Sequence, residues 1–298
     1  MQLKATGILT PEQIQAIEVL VDVCTAIDGN SVPIYRHLLE NPRPFPCNIL
    51  AYEGQHLIGF VRAFFFTEYE VEVSIMVAPD YRRQGIATAM FRALVPVIQS
   101  QYINELKITT AYGLHDKWMA VMGFQPSGLV YQMHYQPQSD LHILPLTGAE
   151  IIRRATINDL PYLTAIHRSG FPTESSEIQE YLEMLVTDAN HQIFILVAAG
   201  LPVAKAHIRF QGNDAYLADI AVFPKHQSKG YARALIKHCL QVLHDTHSAN
   251  IFLDLEHDNP RAQKIYRDLG FSVVNTHQCW SVSVNFREFN LTDFLQHL

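Results

Sequence analysis

The chain has 298 residues, 48% of them hydrophobic, and a formal net charge of −7. That is enough chain for two ordinary cores, and the acidic balance excludes a nucleic-acid grip, because neutralising phosphates takes a basic face. No basic segment followed by a long apolar run opens the sequence, and Phe64-Phe65-Phe66 is far too short to span a bilayer, so neither export nor membrane insertion is expected.

In chain order, Thr10 can cap a first helix, with Pro11 at its first position and Ile14, Ile17, Leu20 and Val21 at helical spacing. A hairpin follows, with Gly54 between the apolar runs 48–52 and 57–63. An apolar strand then ends in Val77-Ala78-Pro79-Asp80-Tyr81-Arg82-Arg83-Gln84-Gly85-Ile86-Ala87, which opens into an apolar-periodic helix, and Gly123-Phe124 closes the half. The stretch from Gln136 to Asp140, continuing toward Pro145 and Gly148, reads as a linker. Beyond it Thr156 and Asp159 form a capping pair ahead of Leu160, Leu163 and Ile166. Gly200 sits in a second hairpin between 193–197 and 203–208. The basic glycine loop then returns as Val222-Phe223-Pro224-Lys225-His226-Gln227-Ser228-Lys229-Gly230-Tyr231-Ala232, followed by a helix with Ala234, Leu235, Cys239, Leu240 and Leu243 on one face. Gly270-Phe271 ends the pattern.

The loop glycines Gly85 and Gly230 lie 145 positions apart, the hairpin glycines 146, and the closing glycines 147. So regular an offset means two copies of one domain. The sequence divides into an N-terminal domain (1–138), a linker (139–149) and a C-terminal domain (150–298). Alternating strands and helices give an α/β (α+β) class, each domain a mixed central sheet flanked by helices. Cys24, Cys47, Cys239 and Cys279 are scattered without Cys-x-x-Cys, and the fifteen histidines include no His-Glu-x-x-His. Reduced thiols, a cytoplasmic setting and no metal site are therefore expected. The oligomeric state is left open.

Each loop is an anion cradle. N–H groups at a helix start have no partner within the helix, and the helix dipole adds partial positive charge there, so a pyrophosphate is a natural occupant. The two strings resemble the acetyl-coenzyme A pyrophosphate loop of the GNAT N-acetyltransferase superfamily: Arg or Gln, two variable residues, Gly, one variable residue, then Gly or Ala. Arg82, Gly85 and Ala87 satisfy it in the first copy, and Gln227, Gly230 and Ala232 in the second. A second string, Asn259, Ala262, Tyr266 and Gly270-Phe271, resembles the other hallmark of that superfamily. The resemblance is strong for 215–272, moderate for 71–124, and extends to most of the chain as fold.

It implies tandem GNAT domains, organised like the mycothiol synthase-like enzymes, that move an acetyl group from acetyl-coenzyme A to a primary amine in a ternary complex. The acceptor would be a small molecule or a protein amine. The loops 82–87 and 227–232 would hold the cofactor, Val222 (with Val77 as its counterpart) would supply the N–H that polarises the thioester, and Asn259 would contact the cofactor arm. Tyr266 would protonate the departing thiolate, a role suited to a phenol that stays protonated at neutral pH. The bland alternative makes Asn259 a helix cap and Tyr266 a core residue. No obvious base occupies the positions the family favours, Ala218 and Tyr216. Asp219 would need a β-bulge to reach the right face, and Glu256 and His207 are the other candidates beside a water chain. The first half matches the loop but places Tyr112, His115 and Met119 where the second has Asn259, Ala262 and Tyr266. It is therefore expected to be catalytically degenerate, although Tyr112 or His115 could substitute on a different local path and Glu72 on the preceding strand is a possible base. Acceptor selection falls to variable loops such as Gly170 to Ser176 and Gly29 to Pro46. The rival readings are a non-catalytic acyl-coenzyme A sensor or scaffold, and a GNAT-fold transferase with another acyl donor.

Overall fold

The structure, a computed structural model, describes residues 1–65, 69–101, 103–137, 150–171 and 178–283. The expected linker at 139–149 lies outside the described residues, as does most of the 170–176 loop. The first half runs β1 (Gln2–Thr6), α1 (Pro11–Asp28), α2 (Arg36–Leu39), β2 (Asn48–Glu53), β3 (His56–Phe64), β4 (Glu70–Val77), α3 (Ile86–Gln99), β5 (Glu105–Ala111), α4 (Asp116–Val121) and β6 (Gln125–Tyr135). α1 begins as its sequence dictates. Thr10 Oγ1 accepts from the Gln13 N–H, and the Gln13 side chain accepts from the Thr10 N–H, a reciprocal capping box behind Pro11. β2 shows why both faces of this sheet are covered. Leu50 joins Ile14, Ile17 and Leu20 of α1 in one cluster, while its neighbours Ile49 and Ala51 join Met90, Phe91 and Leu94 of α3 in the other.

The second half repeats the order: β7 (Glu150–Arg154), α5 (Leu160–Gly170), α6 (Ile178–Thr187), β8 (His191–Ala198), β9 (Leu201–Gln211), β10 (Asp214–Val222), α7 (Tyr231–Asp245), β11 (Asn250–Glu256), α8 (Pro260–Asp268) and β12 (Phe271–Ser283). α5 is preceded by a 3-10 turn whose cap is the expected pair. Asp159 accepts from the Thr156 N–H at 2.8 Å and also holds Arg153 through two contacts of 2.8 Å. Leu160, Leu163, Leu182, Ile193 and Ile195 form the core between α5, α6 and β8.

The compact units differ from the contiguous halves 1–138 and 150–298. One unit comprises Met1–Tyr131, Glu256–Asp258 and the chain from Asn275; the other comprises Gln132–Leu255 and Asn259–Val274. The first unit's sheet, in order β1-β2-β3-β4-β5-β12, is completed by the C-terminal stretch of β12, antiparallel to β5 from His277↔Ala111 to Ser283↔Glu105. The second, β7-β8-β9-β10-β11-β6, is completed by the end of β6, where the His134 ring lies 4.9 Å from that of Phe252 on β11. Each unit thus takes its last strand from the other half of the sequence. Linear periodicity cannot reveal such an exchange, because β6 and β12 read equally well as the closing strand of either copy.

Two outcomes follow from this arrangement. Residues 150–298 produced alone leave β11 an open edge, so they should aggregate or lose helix and strand signal, checked by size exclusion and circular dichroism; a folded monomer would contradict the exchange. The Arg153 hydrogen bonds outweigh the opposing effect of burial and, with those from Thr156, hold the Asp159 carboxyl down at about 2. A group whose folded pKa is depressed stabilises above its unfolded value of about 4 and loses that contribution as pH falls toward the folded one. Asp159→Asn should therefore lower the urea midpoint at pH 7 and converge on the wild type between about pH 4 and pH 2.

Candidate active site

The two loops have the same backbone despite different side chains. Ala78 and Phe223 sit at φ/ψ of −53/137° and −50/136°, and Arg82 and Gln227 at −70/158° and −67/167°. Arg83 and Ser228 follow at φ 62° and 64°, and the helices α3 and α7 start behind Gly85 (77/9°) and Gly230 (84/0°). The left-handed conformation that both glycines adopt is the one glycine tolerates without steric cost. The first intrahelical bonds come from Ala89 to Gly85 and from Ala234 to Gly230. The N–H groups of Ile86 and Ala87, and of Tyr231 and Ala232, are therefore left to an outside acceptor. Gln84, Gly85, Ser228, Lys229 and Gly230 are exposed around them.

Arg82 and Gln227 brace the loops. Arg82 Nε donates to the Val77 carbonyl at 3.0 Å and its terminal nitrogens hold Asp28 at 2.8 and 2.7 Å, while Gln227 Nε2 donates to the Val222 carbonyl at 3.2 Å. The Tyr231 hydroxyl turns away to Glu150, so that residue offers the cradle its backbone. One cation that the sequence reading passed over reaches the second loop: Arg261 of α8 contacts Gln227 Oε1 at 3.4 Å and Ser228 Oγ at 3.1 Å.

Beside each loop a parallel strand pair comes apart. The β4–β5 register ends at Ser74↔Thr109, and the β10–β11 register at Tyr216↔Phe252. Phe223 N–H donates to Val203 across β9, and Ala78 N–H to Ile58 across β3. Successive N–H groups of a strand point to opposite sides, so Val222 and Val77 direct theirs toward the gap. A donor aimed into a strand gap next to an anion cradle is the arrangement that polarises a carbonyl oxygen.

α8 carries Asn259 at its cap and Tyr266 in its second turn. Asn259 caps it, its Oδ1 accepting from the Ala262 N–H at 3.1 Å, so the capping half of the bland alternative holds and the amide nitrogen is left for another contact. Tyr266, two turns beyond Asn259 on the same face, packs edge-on against Phe271 with ring centroids 5.8 Å apart, and burial pushes its phenol up to about 12. The hydroxyl stays protonated across the physiological range.

The bulge that Asp219 requires is present. Ala218 pairs with His207 and Ala221 with Lys205, so Asp219 and Ile220 together face Ala206, with Asp219 at φ 50°. Gly170 allows α5 to come close here, since a Cβ on it would lie 2.8 Å from that of Ala221. The bulge brings Asp219 Oδ2 to 3.6 Å from His207 Nδ1 and 3.8 Å from Lys205 Nζ. Burial by itself would raise the Asp219 carboxyl, but His207 and the charges of Lys205 and His167 win and hold it far below the usual range. A carboxylate so strongly ionised is a weak base, which counts against Asp219 as the proton acceptor. Glu256, at the end of β11, is exposed.

The first unit holds a cleft of about 670 Å³, lined among others by Cys24, Val77, Gly85, Ala87, Thr110 and His115. Met119 is fully buried in the α3-side core and has no access to it. Tyr112 is half exposed, and His115 stands at the start of α4 against Trp118. Glu72 is buried, and Oε1 accepts from Thr109 at 2.8 Å and Tyr35 at 3.1 Å; burial raises its pKa, and these hydrogen bonds oppose the rise.

The pattern of the Acetyltransferase (GNAT) family matches residues 18–117 and 160–271, more than half of the chain. A curated relative, the [Ribosomal protein bS18]-alanine N-acetyltransferase of Escherichia coli (strain K12), is 30% identical over 95 residues, covering 32% of this chain and 64% of the relative. A GCN5-related N-acetyltransferase from Sphaerobacter thermophilus superposes with a TM-score of 0.79 at 14% identity over 95% of each chain. A tandem GNAT protein from the clavulanic acid biosynthesis pathway superposes with a TM-score of 0.69 at 14% identity, over 95% of this chain and 98% of that one. With two matches along its length, one for each cradle, this chain belongs to the GNAT acetyltransferase family as a tandem member.

Proposed function

We propose that this protein transfers an acetyl group from acetyl-coenzyme A to a primary amine by direct attack in a ternary complex, with the chemistry in the second unit. The observation that carries this reading is the convergence around β10: the Gly230 cradle, the Val222 N–H aimed into the strand gap, and Tyr266 on the helix that follows β11. The pyrophosphate would lie on the N–H groups of Tyr231 and Ala232 with Arg261 and Lys229 nearby. The thioester oxygen would accept from Val222. As the amine nitrogen bonds to the carbonyl carbon and the carbon–sulfur bond breaks, Tyr266 would give its proton to the thiolate. The curated relative acts, by its name, on an alanine, which supports an amine acceptor.

The first unit repeats the cradle and the N–H but has a buried thioether where the phenol should be, and a thioether cannot protonate a thiolate. It is read as a second acetyl-coenzyme A site without its own acid. Calorimetry of the intact chain should accordingly give more than one acetyl-coenzyme A bound, and Gly85→Glu, which strains a left-handed position and adds negative charge, should remove one site. A stoichiometry of one that this change leaves untouched would make the first loop structural. Tyr266→Phe should keep the fold and cofactor affinity while lowering turnover by about 10²- to 10⁴-fold, measured as thiol release with a panel of amines. Full activity in that variant, together with loss of activity in Gly85→Glu, would move the chemistry to the first unit.

A further inference from the structure

Behind the bulge of β10 the second unit buries an uncommon set of polar groups. Lys205 is fully buried, His207 is 3% exposed and His167 is 7% exposed. Lys205 Nζ, His207 Nδ1, Asp219 Oδ2 and His167 Nδ1 all lack a hydrogen-bond partner. Buried polar atoms are otherwise almost always paired, so several orphans in one place mark either a bound solvent molecule or a functional role. The geometry favours the solvent. The distances of 3.8 Å and 3.6 Å from Asp219 Oδ2 to Lys205 Nζ and His207 Nδ1 are too long for hydrogen bonds. One bridging oxygen within hydrogen-bond reach of the three would satisfy them all, and a buried water needs two to four such partners.

The cluster also has an outlet. His207 Nε2 lies 2.7 Å from His191 Nδ1, with the rings stacked at 4.9 Å, and His191 is only partly buried at the start of β8. We propose that Lys205, His207 and Asp219 hold one buried water, and that this water with the His207–His191 pair carries away the proton that the acceptor amine must lose. The proposal rests on the reading that the second unit is the catalytic one.

The step balances without any further reactant. An acceptor ammonium reacting with the thioester yields amide, thiol and one released proton. Lys205 donates to the water, and the water donates to Asp219 Oδ2 and to His207 Nδ1. A proton arriving from the amine through the water is taken by His207 Nδ1; the proton on His207 Nε2 passes to His191 Nδ1; and His191 Nε2 releases one to solvent. Only N–H and O–H bonds are made and broken. Asp219 is then a positioning group that accepts from the water and keeps it oriented. The Asp219 bulge is three residues before Val222, at most about 10 Å along the strand, and that is the span the amine's proton crosses to reach the water. The other titratable groups around the cluster are Arg209 on β9, Tyr181 on α6 and Asp188 ahead of β8; burial first and His207 second, with Arg209, hold His191 down at about 4 against the opposing charges of Asp188 and Asp219, and so ready to release a proton.

The test is the pH profile of kcat/KM for the amine at saturating acetyl-coenzyme A in wild type, His207→Gln, His191→Gln and Tyr266→Phe. His207→Gln should lose about 10²-fold and its acid limb, with the KM for acetyl-coenzyme A unchanged. His191→Gln should lose less and recover in imidazole buffer. Tyr266→Phe should keep the wild-type acid limb at lower turnover. A folded His207→Gln with the wild-type profile overturns the relay; if Tyr266→Phe is still impaired, the second unit remains the catalyst, and if it too is unimpaired, the underlying reading falls as well. Should His207→Gln not fold, a crystal structure of the wild type decides: a solvent peak within 3.2 Å of Lys205 Nζ and His207 Nδ1 supports the proposal, and an empty space there overturns it.

Discussion

Both units depend on the point at which two parallel strands stop pairing. As long as β4 follows β5, and β10 follows β11, every backbone donor between them has a partner. Past Ser74 and Tyr216 the ladders end, and the N–H groups of Val77 and Val222 turn into the resulting gap. A buried donor left unpaired costs about 1–3 kcal/mol, so such a gap is stable only if something occupies it. The carbonyls of the same two residues are held by Arg82 and Gln227, which leaves the N–H groups as the available pair. The glycine loop and the helix behind it follow from the same break, because the chain leaves the strand end there and must turn sharply to start a helix on the sheet.

Arg83 and Ser228 show that loop geometry outranks residue type. Neither is glycine, yet both adopt φ near 60°, a conformation that costs about 1–3 kcal/mol outside glycine. The same strain at equivalent positions means that it is imposed by the fixed ends of the loop, Val77 or Val222 on one side and the helix on the other. The side chains are then free to diverge. One loop is tied to Asp28 through Arg82, and the other receives Arg261 from α8.

Two buried cations illustrate how polar burial differs between structure and function. Arg62 is almost fully buried, and its two terminal nitrogens donate to Asn48 Oδ1 and the Leu38 carbonyl, which leaves only Nε without a partner. Lys205 is equally buried, but its charge partner is 3.8 Å away and its Nζ, 5.7 Å from the centre of the Phe171 ring, makes no hydrogen bond. Burying an ion pair rarely stabilises a fold more than apolar side chains would, so stability alone does not account for Lys205, Asp219 and two histidines in one core.

The sequence by itself determined the two copies, the loops, the caps at Thr10 and Thr156, and the helix that carries Tyr266. Those are local features, set by spacing, capping chemistry and the steric freedom of glycine, and each involves residues within a few positions of one another. It also showed that Met119 stands where the second copy has Tyr266. It could not show that β6 and β12 complete units other than those they follow in the chain, since strand pairing over more than a hundred residues leaves no periodic trace. Nor could it decide Asp219. Alternation placed that carboxylate on the wrong face, and only the bulge opposite Ala206, a product of how β9 and β10 pair, turned it toward Lys205 and His207. Lys205, His207 and Arg209 do alternate along β9 between apolar residues, which is a legible sign that they share a face. Their environment was set by α5, β8 and β10 coming together, and so by the tertiary structure alone.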